Sequence, residues 1–223
     1  MSSATIAVKG NASEEFAADF ADVHFRHLFT SPSRSDALAH GNAVIAQLRD
    51  VGAQSTLRVR DMKIRSLSVE EAFTSVEPDH IREPSGWSVL VTGEVCADAE
   101  SVPEVVAALT RVGVTIVNVT WHLEPATEAS AQRAVRRQAV DNALEAAIDF
   151  AAALGGTLGD LITLADPGLL SAGASGNSRT RSAGAFLASA TSYGSPWDER
   201  VDIDTSVITV AASVEASYVV NLD

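Results

Sequence analysis

Disulfide chemistry is the first thing this chain lacks. Cys96 is its one cysteine among 223 residues, so no intramolecular bridge can form and the composition shows no disulfide-stapled framework. Long hydrophobic runs are missing too. None approaches the ~18 residues that a membrane-spanning helix requires, and the first ten residues have no basic segment leading into an apolar one, so they are not a secretory signal. The cytoplasm is the expected location unless a leader has been removed. Positive charge is also short, with 16 Lys and Arg against 29 Asp and Glu and a net charge of −13. Such a surface repels nucleic acid and anionic membrane at long range, and neither is an expected partner. Proline is sparse at 7 residues and aromatics make up 5%. With 46% apolar residues, the composition is that of a soluble globular protein rather than a fibrous or disordered one.

Small apolar residues are abundant, with 37 alanines and 25 valines making more than half of the apolar total. Each buries little area, at roughly 25 cal/mol per Å². Stability must therefore come from close backbone approach over long elements, or from surface buried against other copies of the chain.

Residues 5–9 alternate in the manner of a strand. Residues 20–29 do so again, with Ala21, Val23, Phe25 and Phe29 on one face and Asp22, His24 and Arg26 on the other. Ser35 is then placed to cap a helix that runs through Leu38, Val44, Ile45 and Leu48 to Gly52, with Gly41 costing it ~1 kcal/mol relative to Ala. Residues 56–67 read as extended with imperfect alternation, and Pro78, Pro84 and Gly86 mark a turn-rich stretch. A good strand over 87–97, a helix opened by Ser101 and Pro103 and closed by Gly113, and a strand over 114–123 follow. In that last strand Val117, Val119, Trp121 and Leu123 are expected inward. The second strand, helix, strand unit echoes the first.

Residues 127–154 contain neither Gly nor Pro and predict a helix about 40 Å long, with Thr127 as its cap. Its apolar stripe, mostly alanine, includes Val135, Ala139, Ala143, Phe150 and Leu154 beside Leu144 and Ile148. Arg133, Arg136 and Arg137 occupy its first half, and Asp141, Glu145 and Asp149 its second, a placement opposed to the helix dipole. These charges need partners elsewhere, and the three arginines are the candidate contact of an oligomer. Gly155 and Gly156 end the helix, and residues 160–165 form a short strand. Residues 168–200, rich in Ser, Gly and Ala, read as a flexible loop. Residues 205–222 alternate almost without fault. A strand of that length spans ~60 Å and either bends through a large sheet or pairs with a neighbouring chain.

Chemical motifs are few. His24 and His27 are three apart on a strand and point to opposite faces, so they cannot chelate together. Cys96 lies mid-strand with no nucleophile signature. Asp202 and Asp204 share a face just before the last strand and are the candidate metal ligands, since hard cations favour such oxygens. No cofactor motif is present; the glycines at 155, 156 and 159 follow a helix, the reverse of a phosphate-binding loop.

Three features together resemble the SIMPL domain family, whose bacterial members include periplasmic immunogenic antigens and oxidative-stress-associated proteins. These are the strand, helix, strand of residues 87–123, the alanine-rich helix running into Ala153-Leu154-Gly155-Gly156-Thr157-Leu158-Gly159, and the valine-alternating end over 208–218. Ile6-Ala7-Val8-Lys9-Gly10 and the strand after Asp19 fit as well, so the likeness covers nearly the whole chain. The chain departs from the family pattern in its reduced glycine-rich opening, in Ala18 before Asp19, and in lacking the usual export signal. The resemblance implies a single domain over 1–223 with an α+β fold: a mixed or antiparallel sheet packed by one long Ala-rich helix and two shorter ones, with a long C-terminal strand. A subdivision into 1–68 and 86–223 is the alternative organisation. It also implies large homo-oligomers for some members and no catalytic residues. The expected function is thus that of a non-enzymatic, self-assembling, stress-associated protein. The alternatives are a small-molecule or metal-dependent enzyme or binder with residues 168–200 as a lid, and an adaptor that binds another protein.

Overall fold

The computed structural model describes residues 2–76, 81–169 and 207–222. The elements are β1 (Ser2–Ala17), β2 (Phe20–Ser31), α1 (Arg34–Gly52), β3 (Val59–Val76), β4 (Ile81–Asp98), α2 (Val102–Val112), β5 (Thr115–His122), α3 (Pro125–Ala153), β6 (Gly156–Ala165) and β7 (Val207–Leu222). The fold is α+β, with one long and two shorter helices. Two sheets stand where one was expected, ordered β1-β7-β6 and β3-β4-β2-β5. They belong to two compact units, one built from β1, α3, β6 and β7 from Thr209 onward and the other chiefly from the continuous stretch Ala17–Glu124.

In the continuous unit, β2, α1, β3, β4, α2 and β5 form two interleaved βαβ halves, the ferredoxin-like arrangement. β2 pairs antiparallel with β4 and β5. The core side of this sheet carries Ala21, Val23, Phe25, Val89, Val91 and Val95. Leu48 of α1 and Val105, Val106 and Leu109 of α2 complete a single cluster with them. The helix α1 begins two residues earlier than its sequence suggests. Ser33 is the cap, its Oγ accepting from the Asp36 backbone N–H at 3.4 Å, while Ser35 hydrogen-bonds Ser33. Gly41 is buried, and a Cβ there would come within 2.7 Å of Val89 and 3.1 Å of Leu67. The glycine that weakens the helix lets it lie close on the sheet.

The expected turns around Pro84 and Gly86 are instead strand, because β3 and β4 pair from Val59 opposite Ala97 to Val76 opposite Ile81. The register explains how a proline fits there. β2 stops at Ser31 opposite Trp87, so Pro84 has a partner strand on one side only, and it stands at the register shift between Ala72 and Phe73, the edge and bulge setting in which a strand tolerates proline. The imperfect alternation of β3 also has a cause. Register shifts at Val59/Asp61 and Ile64/Ser66 leave Arg60 and Arg65 as extra residues, turned toward the sheet face away from the helices. A shift in the β2–β5 ladder, between His24 and Phe25, skips Val117. That residue is 61% exposed rather than inward.

In the other unit, β7 is the central strand, flanked by β1 and β6. Its length is therefore met by strands of its own chain. Val210, Val214, Ala216, Tyr218 and Val220 are buried, on the alternating face expected of them. The helix α3 buries a narrow stripe at strict four-residue spacing, Ala131, Val135, Ala139, Ala143, Ala147 and Ala151. The wider stripe read from sequence is not covered among the described residues, for Leu144, Ile148, Phe150 and Leu154 are exposed. Thr127 lies inside the helix rather than capping it. Small side chains on α3 admit the β1 backbone: a Cβ on Gly10 would lie 1.9 Å from the Ala139 carbonyl oxygen and 2.7 Å from the Ala143 nitrogen. Gly155, with φ +72°, closes the helix. All but the first two residues of the expected 168–200 loop lie outside the described residues.

Candidate functional site

Arg133, Arg136 and Arg137 are all exposed on α3, and with Val140 and Asp141 they line a depression of about 340 Å³. Asp141, Glu145 and Asp149 follow on the same helix, also exposed. Among the described residues none of these six makes an ion pair. Basic and acidic halves thus stand unneutralised on one helix, interleaved with exposed Leu144 and Ile148. Beside them β6 forms one edge of its sheet and exposes Leu161, Ile162 and Leu164 by 45% or more. Among the described residues this edge is unpaired, and such an edge with apolar side chains is a template for adding another strand.

The second concentration of polar groups is the outer face of the four-stranded sheet. Glu94 is 9% exposed and is held by Arg65 through Nε at 3.0 Å and Nη2 at 2.6 Å, with Lys63 at 3.7 Å and His24 at 3.8 Å. The Arg65 hydrogen bonds hold the Glu94 carboxyl below the usual glutamate range against the opposing effect of burial. Glu94 is therefore a fixed anion and not a proton donor near neutral pH. Arg60 reaches Asp98 at 2.6 Å and also bonds Glu124, with its guanidinium 4.7 Å over the Phe20 ring. Both cations come from the bulged positions of β3. The only sequence signal for them was the broken alternation.

Asp22, Cys96 and His122 also meet on this face. Asp22 stands opposite Cys96 in the β2–β4 ladder, and His122 Nε2 lies 3.2 Å from the Asp22 carboxylate while its ring stacks on Phe20. Burial, with Asp22 adding to it, pushes the Cys96 thiol up to about 11. A thiol protonated at neutral pH is a poor nucleophile, so this trio has no activated attacking group.

The histidines divide as their spacing requires. His24 faces Glu94, whereas His27 turns to the helix side, where its Nδ1 lies 2.8 Å from the Gly113 carbonyl and its Nε2 3.0 Å from Nε2 of His40. Spacing in sequence gives no sign of this pair, since His27 lies on β2 and His40 on α1. Asp202 and Asp204 lie outside the described residues. Among the described residues no group of three or more His, Cys, Asp or Glu side chains could hold a metal ion, and no helix is long and apolar enough to cross a membrane.

Comparison with curated proteins gives no match. The family model of SIMPL, described as a protein of unknown function (DUF541), matches residues 6–218, from the first turns of β1 to near the end of β7. That range takes in both sheets, the alanine stripe of α3 and the closing alternation of β7, and the chain belongs to the SIMPL family.

Proposed function

We propose that this SIMPL protein is a non-enzymatic, self-assembling one, and that its copies join through the outward side of α3 and the β6 edge. The observation that carries this is the exposure of Leu144, Ile148, Phe150, Leu154, Leu161, Ile162 and Leu164 on neighbouring elements of one unit. Apolar surface of that kind on a protein so poor in large side chains is expected to be covered by a partner. Charge names the partner as a second copy. When two α3 helices lie antiparallel, the Arg133, Arg136 and Arg137 half of each faces the Asp141, Glu145 and Asp149 half of the other. The same arrangement sets each helix's unfavourable end charges against opposite ones. Light scattering coupled to size exclusion tests the reading: a multimer at micromolar concentration is expected, and a monomer of 23.3 kDa overturns it.

A stress-associated role belongs to this reading and is supported by the family resemblance alone. It does not run through Cys96, whose thiol is too weakly acidic for a redox sensor. Lower survival of cells lacking the protein during peroxide exposure is the expected result, and unchanged survival removes that part of the reading.

A further inference from the structure

We propose that His27 and His40 form a two-imidazole site for a first-row transition-metal cation of the Zn²⁺ type, with Nε2 of each ring as ligand and solvent completing the coordination. The first support is distance. Two imidazole nitrogens on one tetrahedral zinc, each at roughly 2.0–2.1 Å from it, are about 3.3 Å apart. The two Nε2 atoms are 3.0 Å apart, so a small tilt of the rings makes room for the ion.

The second support is orientation. A carbonyl only accepts, so the 2.8 Å contact to Gly113 puts a proton on Nδ1 of His27. In the neutral ring that leaves the Nε2 lone pair aimed at His40. Metal-binding histidines are held in this way, with the far nitrogen donating to a backbone carbonyl or carboxylate. Gly113 caps the C-terminal end of α2, where free carbonyls carry partial negative charge and favour a cation. The Phe29 ring, stacked on His40 with centroids 3.8 Å apart, fixes the second ligand.

The proton balance is simple. In the metal-free pair His40 donates its Nε2–H to His27. On binding, that N–H bond breaks, an N–metal bond forms, and His40 remains neutral by carrying its proton on Nδ1. A net charge of −13 draws cations toward the protein.

Calorimetric titration of the full chain with ZnCl₂ near neutral pH tests the site. One saturable zinc per chain is expected, with affinity at least about tenfold weaker in His27→Gln and in His40→Gln and unchanged in His24→Gln and His122→Gln. Because either of the first two substitutions could unfold α1, imidazole ¹⁵N spectra of the unsubstituted protein provide an independent reading. Zinc should move the Nε2 resonances of His27 and His40 and leave those of His24 and His122 in place. Unmoved resonances at millimolar zinc, or equal affinity in the folded His27 and His40 variants, overturn the proposal.

Discussion

Gly10 sits where one missing methyl group decides how near two elements can come. A Cβ would collide with the Ala139 carbonyl and the Ala143 nitrogen, and both are backbone atoms of a helix that cannot yield locally. Gly10→Ala should therefore cost about 2 kcal/mol or more, read as a lower urea midpoint with an unchanged slope. The sequence showed the alanines and the glycine but not that they face each other, because the contact spans more than a hundred residues. Arg65 shows the same limit. Its place on the outer face is created by a register shift, and strict alternation cannot reveal which residue a bulge will skip. Arg65→Met takes both hydrogen bonds from the shielded Glu94 carboxylate, leaving it only the longer contacts to Lys63 and His24, and should destabilise by about 1–3 kcal/mol. The pH response has a definite sign. The folded Glu94 pKa lies below its ordinary 4.5, so the clasp contributes its stability above that value and loses it as pH falls through the lower folded one. Acid titration of the melting temperature should show a shallower fall in Arg65→Met than in the parent. Cys96 should react with maleimide far more slowly than a free thiol at pH 7.5, and a matching rate would contradict its raised pKa.

At the scale of elements, α3 is where sequence and structure divide most clearly. Its length, its lack of Gly and Pro and its alanine stripe were all legible, since they depend on local propensity and a 3.6 period. How much of the circumference is covered was not legible, because that depends on what packs there. The buried stripe is one residue wide, and the larger apolar side chains point outward. Arg136→Glu with Arg137→Glu should reduce particle mass, and adding Asp141→Arg with Glu145→Arg should restore it by exchanging the charges across the antiparallel contact. Unchanged mass in the first variant would separate α3 from assembly. At the sheet edge, Ile162→Lys places a charge of the kind that natural edge strands use against further pairing. It should lower particle mass while leaving the fold, judged by far-ultraviolet circular dichroism, intact.

For the whole molecule, the repeated strand, helix, strand pattern was legible in the sequence, but that the two repeats share the one sheet of β2 to β5 was not. The hairpin between its halves was obscured by Pro84 and Gly86, which usually punctuate; here Pro84 lies past the end of the β2–β4 ladder, and Gly86, at φ +133°, sits close against the Ser31 carbonyl. Because the core of this unit is built entirely from residues between Ala17 and Glu124, residues 17–124 expressed alone should melt cooperatively. A non-cooperative melt of that fragment would show that its core depends on the rest of the chain.

The order of strands has one more consequence, and it concerns synthesis. β1 is made before the other described elements, yet its hydrogen-bonding neighbour β7 is made after all of them. At roughly 5 to 20 residues per second, β1 waits on the order of 10 to 40 s for its partner, long after the β2 to β5 unit can close. During that interval the opening strand is an orphan edge on a growing polypeptide, and the burden of keeping it from pairing with a neighbouring nascent chain falls on the folding machinery of the cell.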